Sequence, residues 1–391
     1  MKIMKRFYRD IIRDYDKTED TCPYSRLCGG CQLRGYTLED QRDMKLRYVR
    51  YVLGYEHENL VDKIIPVGEP EGYRTRMDFV CAFGKVGLRI RGSYKKVVDI
   101  PECRLMSPRM NEVYARARSM VFDWVDNGRP MYDYIRHEGD IRYITVRSAH
   151  NESGEEVMLS ITTKSTDPLP LDHIREETGC ESVYHLVNPN LYDDARGEIL
   201  GYSGKQYLKH RIRVSNTTRD YLIGPNTFFQ TNRYVDRVYE DVLHETEGYD
   251  RVVDLYSGVG TITLLLNNPQ VIGVEVVDES ISLAQKNLEI NRDRINNEVR
   301  FIHMDVKEYL KNPSPADLVV LDPPRSGLGG KLIRRLLRWG PDKIVYMSCN
   351  ILTQWDDVNR LMEGGYILES VRVYDLFPYT YHTESLMVLS R

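Results

Sequence analysis

The sequence has no apolar run of membrane-spanning length, no internal repeat, no low-complexity tract and no surplus of basic charge. The first absence excludes a transmembrane helix, which needs about 20 consecutive, mostly apolar residues. The opening stretch "MKIMKRFYRDIIRDYD" also lacks the apolar core of a secretion signal, so the expected location is the cytoplasm. A formal charge of −4 gives no global sign of a nucleic-acid partner, although an average conceals local patches. Cysteine is scarce and its count of seven is odd, which argues against a disulfide framework in a reducing compartment.

What is present describes a globular chain. With 391 residues, 41% hydrophobic and 29% charged, there is material for two or three cores. Three of the cysteines are bunched in "CPYSRLCGGC", a C-x5-C-x2-C spacing over Cys22, Cys28 and Cys31. Crowded thiols in a reducing compartment point to a metal. The Gly-Gly before Cys31 lets the backbone wrap tightly, as around an iron–sulfur cluster; zinc is the rival. A fourth ligand is needed, and Cys81 and Cys103 are near in sequence. Cys81 lies in an alternating strand pattern that suits a buried structural thiol, whereas Cys103 sits in the loop "DIPECRLMSP" and is free to bend toward a metal.

Residues 37–55 have helical periodicity, with Thr37 and Asp40 forming a capping box. From about 64 to 215 short alternating segments punctuated by Gly and Pro predict a β-rich region, interrupted by one helix near 107–127. Within it, residues 74–96 hold seven basic residues against one acid, interleaved with aromatics. That composition suits phosphate contact and base stacking, with a solvated strand face as the plain alternative. Beyond about 225, "NTFFQTNRYVDRVYEDVLHET" is expected to be helical from an aromatic-rich start. Strands and helices then alternate to the end, predicting a mostly parallel sheet with an antiparallel closing pair.

In such sheets ligands bind at the carboxyl ends of the strands. "VVDLYSGVGTIT" supplies a Gly258-x-Gly260 turn, and Glu275 follows Asp254 by 21 residues, the distance at which a carboxylate holds a ribose. The third glycine of a dinucleotide fingerprint is missing, with Thr263 in its place, which favours S-adenosylmethionine over NAD. "LVVLDPPRSG" ends a third strand at Asp322. Enzymes that methylate exocyclic amines carry an aromatic after the double proline; Arg325 stands there instead.

Cys349 ends the next strand in "VYMSCNILTQ" and so belongs to the same crevice. A thiolate opposite a methyl donor is what methylation of uracil carbon 5 requires, because addition to carbon 6 makes carbon 5 nucleophilic. A base must afterwards remove the carbon 5 proton, and His382 and Glu384 in "FPYTYHTESLMV" are the candidates.

These residues resemble the RNA uracil-5-methyltransferases that carry an iron–sulfur cluster. The resemblance runs from about residue 20 to the C-terminus and rests on "CPYSRLCGGCQ", "FFQTN", "DLYSGVGT", "GVEVVDESISLAQKN", "LDPPRSGL", "MSCNILTQWDD" and "FPYTYHTE". It implies an α/β protein with a C-terminal Rossmann-like class I methyltransferase domain (214–391), a β-rich central RNA-binding domain (64–213) and a small N-terminal iron–sulfur segment (1–63). By the same resemblance Cys349 is the nucleophile and Glu384 the base; His382 is read as a hydrogen-bonded structural histidine. Gln230, Tyr256, Thr261, Glu275 and Asp322 contact S-adenosylmethionine, and Cys22, Cys28, Cys31 and Cys103 hold a 4Fe–4S cluster.

The implied substrate is a uridine in tRNA or in 23S rRNA, with a slight preference for tRNA, and the chain is expected to act as a monomer. Some family members place a small β-barrel RNA-binding domain ahead of the cysteines. Only 21 residues precede Cys22 here, so RNA contact is expected from Arg74, Arg76, Arg89, Arg91, Lys95 and Lys96. Two other readings compete: an NAD-linked oxidoreductase, which leaves Cys349 and "DPPR" without a role, and a non-catalytic RNA-binding scaffold with a structural metal site.

Overall fold

The computed structural model describes residues 2–93 and 95–391. Two sheets dominate it. The C-terminal runs of β-branched and leucine residues, such as Val252–Leu255 and Leu318–Leu321, are buried along their length, as a strand covered on both faces requires. They join an eight-stranded sheet in the spatial order Ile65–Pro66, Ile367–Asp375, Glu384–Ser390, Lys343–Ser348, Leu318–Leu321, Arg251–Leu255, Gln270–Glu275, Glu298–His303. The five strands from Lys343–Ser348 to Glu298–His303 are parallel to their neighbours, with Leu255 in register with Val274 and Leu321, and Leu321 with Tyr346. The four strand exits that carry Tyr256, Glu275, Asp322 and Cys349 therefore open on one edge of the sheet.

Glu384–Ser390 runs antiparallel between Lys343–Ser348 and Ile367–Asp375. The closing pair is thus antiparallel, as expected, but it does not form the sheet edge. Ile65 and Pro66 pair with Tyr374 and Asp375 and add an outer strand.

The second sheet has seven strands in the order Val97–Asp99, Lys85–Arg89, Arg76–Ala82, Ile141–Asn151, Gly154–Thr163, Ser182–Val187, Glu198–Gly204. Ser107 caps the expected helix, Pro108–Asp126, whose Met110, Val113, Tyr114, Ala117 and Val121 are buried. Sequence reading missed a second helix here, Leu171–Thr178. It makes the crossover between Gly154–Thr163 and Ser182–Val187, which are parallel and need one. Two turns of helix ended by Gly179 are too short for a clear periodic signal.

A second correction concerns residues 226–246. Helix begins only at Asp236. Ahead of it Asn232 accepts from the Tyr234 amide at 2.8 Å and donates to the Leu376 carbonyl at 2.6 Å, holding Phe228–Gln230 in an irregular segment.

Helix α1 (Lys2–Ile11) was not expected, and helix α2 (Leu38–Leu53) was. Thr37 caps α2 by accepting from the Asp40 amide at 3.0 Å. Both helices share one apolar core with a face of the eight-stranded sheet, through Tyr8, Met44, Tyr48, Val49, Val319, Ile344 and Met387 among others. No helix among the described residues is long and apolar enough to cross a membrane.

Candidate active site

The register of the antiparallel pair sets Ser348 against Ser385. One residue beyond Ser348 the chain turns, and Cys349 is delivered beside Glu384. The junction is braced by Ser385 Oγ, which donates to the Ser348 carbonyl at 3.1 Å and to Gln354 Oε1 at 2.5 Å. Glu384 is 1% exposed, and neither carboxylate oxygen has a hydrogen-bond partner. A buried polar group left unpaired is costly, so such a group at a strand end marks a site awaiting a ligand. Burial raises its pKa well above the ordinary carboxylate range, Asp322 raises it further, and the Arg325 guanidinium opposes both.

Burial also raises the Cys349 thiol, Glu384 adds to that, and Arg325 works against it by charge and hydrogen bonding. Arg325 is therefore a cation set against both groups. Its position is built in: the Arg325 carbonyl accepts from Asn350 Nδ2 at 2.8 Å and Thr353 Oγ1 at 3.0 Å, tying the loop after the double proline to the helix that follows Cys349. Sequence reading weighed Arg325 only as a replaced aromatic. The signal that would have found it is a basic residue at the exit of the strand adjacent to the cysteine. His382 is held neutral, its pKa lowered to about 4 by burial and then by Arg325, Lys45 and Arg74. Cys349, Arg325 and His382 line a cavity of about 190 Å³, together with Met4, Tyr48 and Tyr381.

A second cavity, of about 40 Å³, opens on the neighbouring strand exits. Gln230, Tyr256, Thr261 and Asp322 line it, with Asp254, Gly258 and Phe229. Glu275 does not, but its carboxylate accepts from the amides of Gly258 at 2.9 Å, Val276 at 2.7 Å and Val277 at 2.8 Å. It is thus fixed against the glycine turn. Tyr256 adopts a left-handed φ of 67° there, and Gly258 and Gly260 have φ of 55° and 82°. Asp254, which sequence reading used only as a spacing mark, accepts from Thr263 Oγ1 at 2.6 Å. Burial lifts its pKa to about 7. Asp322 is raised in the same direction, by burial and then by Asp254.

The four cysteines singled out from sequence line a third cavity, of about 240 Å³, with Arg34 and Arg74. Among the described residues no group of three or more His, Cys, Asp or Glu is arranged to hold a metal ion. The four cysteines line one cavity without forming such a group. Gly30 donates its amide to Cys28 Sγ at 3.3 Å. Burial pushes Cys31 up to about 12 and Cys103 up to about 11, and nearby guanidinium groups pull the other way: Arg34 on Cys31, Arg74 on Cys103. Cys81, by contrast, is fully buried in the strand Arg76–Ala82.

The six basic residues expected to meet RNA are not equally available. Arg76 pairs with Asp78 at 3.1 Å and Arg89 with Asp193 at 2.9 Å. Arg74 lies over the Phe377 ring at 5.7 Å, and Arg91 donates to the carbonyls of Ser25 and Cys31. Lys95 and Lys96 are exposed. Tyr94, an aromatic of the same run, lies outside the described residues.

A family model described as tRNA (uracil-5-)-methyltransferase matches residues 190–391. The tRNA (uracil(54)-C(5))-methyltransferase of Pyrococcus abyssi is 32% identical over 93% of this chain and 84% of its own. An uncharacterised RNA methyltransferase of Thermotoga maritima is 30% identical over 96% and 85%. The crystal structure of the Pyrococcus abyssi enzyme with S-adenosyl-L-homocysteine superposes with a TM-score of 0.77 at 30% identity, covering 93% of this chain and 86% of that one.

Proposed function

The chain belongs to the tRNA (uracil-5-)-methyltransferase family and is an S-adenosylmethionine-dependent RNA methyltransferase with a class I methyltransferase fold; on that footing we propose that it makes 5-methyluridine in tRNA. The observation that carries this reading is the pairing of the Cys349 thiol with the unpartnered, buried carboxyl of Glu384 at one strand end. The tRNA preference is supported by the Pyrococcus relatives, which are tRNA (uracil(54)-C(5))-methyltransferases.

Cys349 Sγ adds to uracil carbon 6, with Arg325 favouring the thiolate. The carbon 5–carbon 6 double bond opens to an enolate, which makes carbon 5 a nucleophile. S-adenosylmethionine supplies an electrophilic methyl group, and Gln230, Tyr256, Thr261, Glu275 and Asp322 are the residues proposed to hold it. Its sulfonium charge would draw Asp322 and Glu384 back toward their ionised forms. Glu384 then takes the carbon 5 proton, the double bond re-forms, and Cys349 leaves as thiolate. A carboxyl with a raised pKa is the better base for this removal once ionised. The target uridine must be unstacked to reach the thiol, so a loop nucleotide suits it best.

Four thiols lining one cavity suit a 4Fe–4S cluster, whose irons take thiolate ligands, although Asp78 and Glu102 line it too. Cys22, Cys28, Cys31 and Cys103 would hold the cluster, and it would supply a cross-link between the cysteine loop and the strand region. Methyl transfer to an enolate moves no net electrons, so Cys349 and Glu384 suffice for the reaction. RNA is proposed to approach over Arg74, Arg76, Arg89, Arg91, Lys95 and Lys96. Residues 1–63, 64–213 and 214–391 are proposed as the iron–sulfur, RNA-binding and methyl-transfer units.

Trapping with 5-fluorouridine-substituted transcripts tests the reading. Fluorine at carbon 5 cannot leave as a proton, so the adduct through Cys349 persists. A tRNA transcript and a 23S rRNA fragment, each with S-adenosylmethionine, are run on a denaturing gel. A shifted band with tRNA, absent from Cys349→Ala, is the expected result. A band with the rRNA alone would transfer the activity to that substrate, and none with either would overturn uridine methylation through Cys349 in both RNAs.

A further inference from the structure

Helix α1 carries an aromatic face and a basic face, and the two have different fates. Tyr8 is fully buried, its ring stacked on Tyr381 at 4.1 Å and 16°, and its hydroxyl donates to the Tyr381 carbonyl at 3.4 Å. Phe7 meets Tyr48 at 5.4 Å and Tyr51 at 4.9 Å, and Ile11 is 9% exposed. The helix is therefore seated on α2 and on the loop that leads into Glu384. On its other face Lys5, Arg6 and Arg9 are exposed. Arg9 has only a loose pair with Asp10 at 3.6 Å, and among the described residues Lys5 and Arg6 have no acidic partner. Met4, one residue from Lys5, lines the same cavity as Cys349.

We infer that α1 is part of the substrate-binding surface: Met4 is the wall against which the target base rests, and Lys5, Arg6 and Arg9 hold the RNA backbone beside the unstacked nucleotide. A basic amphipathic helix elsewhere reads as membrane-seeking, but that needs a free apolar face. Here that face is spent on Tyr48, Tyr381 and the shared core. What remains is cationic, on a helix whose Met4 lines the pocket that must admit one base of a polyanion, the juxtaposition that phosphate contacts exploit to position a substrate. The inference rests on the reading of the Cys349 cavity as the uridine site.

The test is the triple variant Lys5→Glu/Arg6→Glu/Arg9→Glu, which leaves Phe7, Tyr8 and Ile11 in place. RNA affinity should fall about tenfold or more, and the slope of log Kd against log salt should drop by about two to three. Turnover at saturating RNA and S-adenosylhomocysteine affinity should stay within about twofold, as expected when contacts only position the substrate. Unchanged RNA affinity and salt slope would overturn the inference, and so would loss of S-adenosylhomocysteine binding, which would make α1 a support of the fold. As a second variant, Met4→Trp should keep RNA affinity yet lose the 5-fluorouridine adduct; a normal adduct would remove Met4 from the pocket wall. Failure of the wild-type protein to methylate any RNA would strike the functional reading itself, and the two failures are thereby told apart.

Discussion

Cys349 and Glu384 stand side by side because Ser348 is in register with Ser385, close enough for the carboxyl to raise the thiol's pKa. Glu384 raises the thiol and Asp322 raises Glu384, so the three acids cannot all ionise freely. This suits a reaction in which one must act as nucleophile before another acts as base. Arg325 opposes the raised pKa of both groups.

Glu384→Gln keeps the shape of the pocket and removes only the base. Thiolate addition and methyl transfer should proceed, and proton removal should slow by about a hundredfold or more. The expected outcome is a covalent protein–RNA species on a denaturing gel, formed with ordinary uridine and carrying labelled methyl. Turnover at the wild-type rate would move the base to another group.

The same substitution should alter stability with a sign that follows from burial. The Glu384 carboxyl is raised well above its ordinary value in the fold. Between an unfolded value of about 4.3 and the folded one, the native state holds a proton that the unfolded chain has lost. Stability is then full below the unfolded value and falls as pH rises, by up to about 1.4 kcal/mol per unit. Glu384→Gln lacks this slope, so its melting temperature should gain on wild type between pH 5 and pH 7. A constant difference across that window would show that the carboxyl is not desolvated.

The cysteine cavity predicts a specific ligand set. Protein purified without oxygen should be brown and carry about four irons and four sulfides per chain. Cys103→Ser should lose most of the iron, whereas Cys81→Ala should keep it, because Cys81 is buried in a strand away from the cavity. Chelation should lower the melting temperature of wild type and leave Cys103→Ser unmoved.

Strand exits were legible in the sequence because each is a local event: an apolar run, a turn, one polar residue. Asp322 and Cys349 could be placed that way, and so could the cofactor turn. That Cys22, Cys28, Cys31 and Cys103 come together at one cavity was foreseeable from their crowding and loop context. What was hidden depended on distant partners. The helix start at Asp236 is delayed by Asn232, which reaches Leu376 across 144 residues. Arg325 acquires meaning only when two strands lie side by side. Helix α1 was read for charge, and its burial depends on Tyr48 and Tyr381, which periodicity within the helix cannot name.

Gly258 and Gly260 looked equivalent in sequence, and the structure separates them. A Cβ on Gly260 would come within 2.6 Å of the Phe301 ring, whereas on Gly258 it would meet nothing within 4 Å. Gly258→Ala therefore bears only the left-handed backbone cost, about 1–2 kcal/mol. Gly260→Ala adds overpacking of about 1–3 kcal/mol and displaces the turn. Calorimetry with S-adenosylhomocysteine should show the larger loss of affinity for Gly260→Ala, with a lower melting temperature.

The loop that brings Tyr381 and His382 to the site is anchored from beneath by a buried ion pair. Lys45 of α2 is fully buried, bonded to Asp375 and, at 3.1 Å, to the Phe377 carbonyl. Burial lowers the lysine pKa, and Asp375 is the group that offsets this. Lys45→Met would leave the carboxylate of Asp375 alone in a dry interior, a loss of about 3–5 kcal/mol. Lys45→Met/Asp375→Leu removes both charges and should recover most of that stability. The double variant still lacks the bond to Phe377, so its loop should be less well held, with turnover lowered while S-adenosylhomocysteine binding persists. Denaturant melts and turnover of the two variants check this together. A double variant no more stable than the single one would show that Lys45 acts through the Phe377 carbonyl and not through the ion pair.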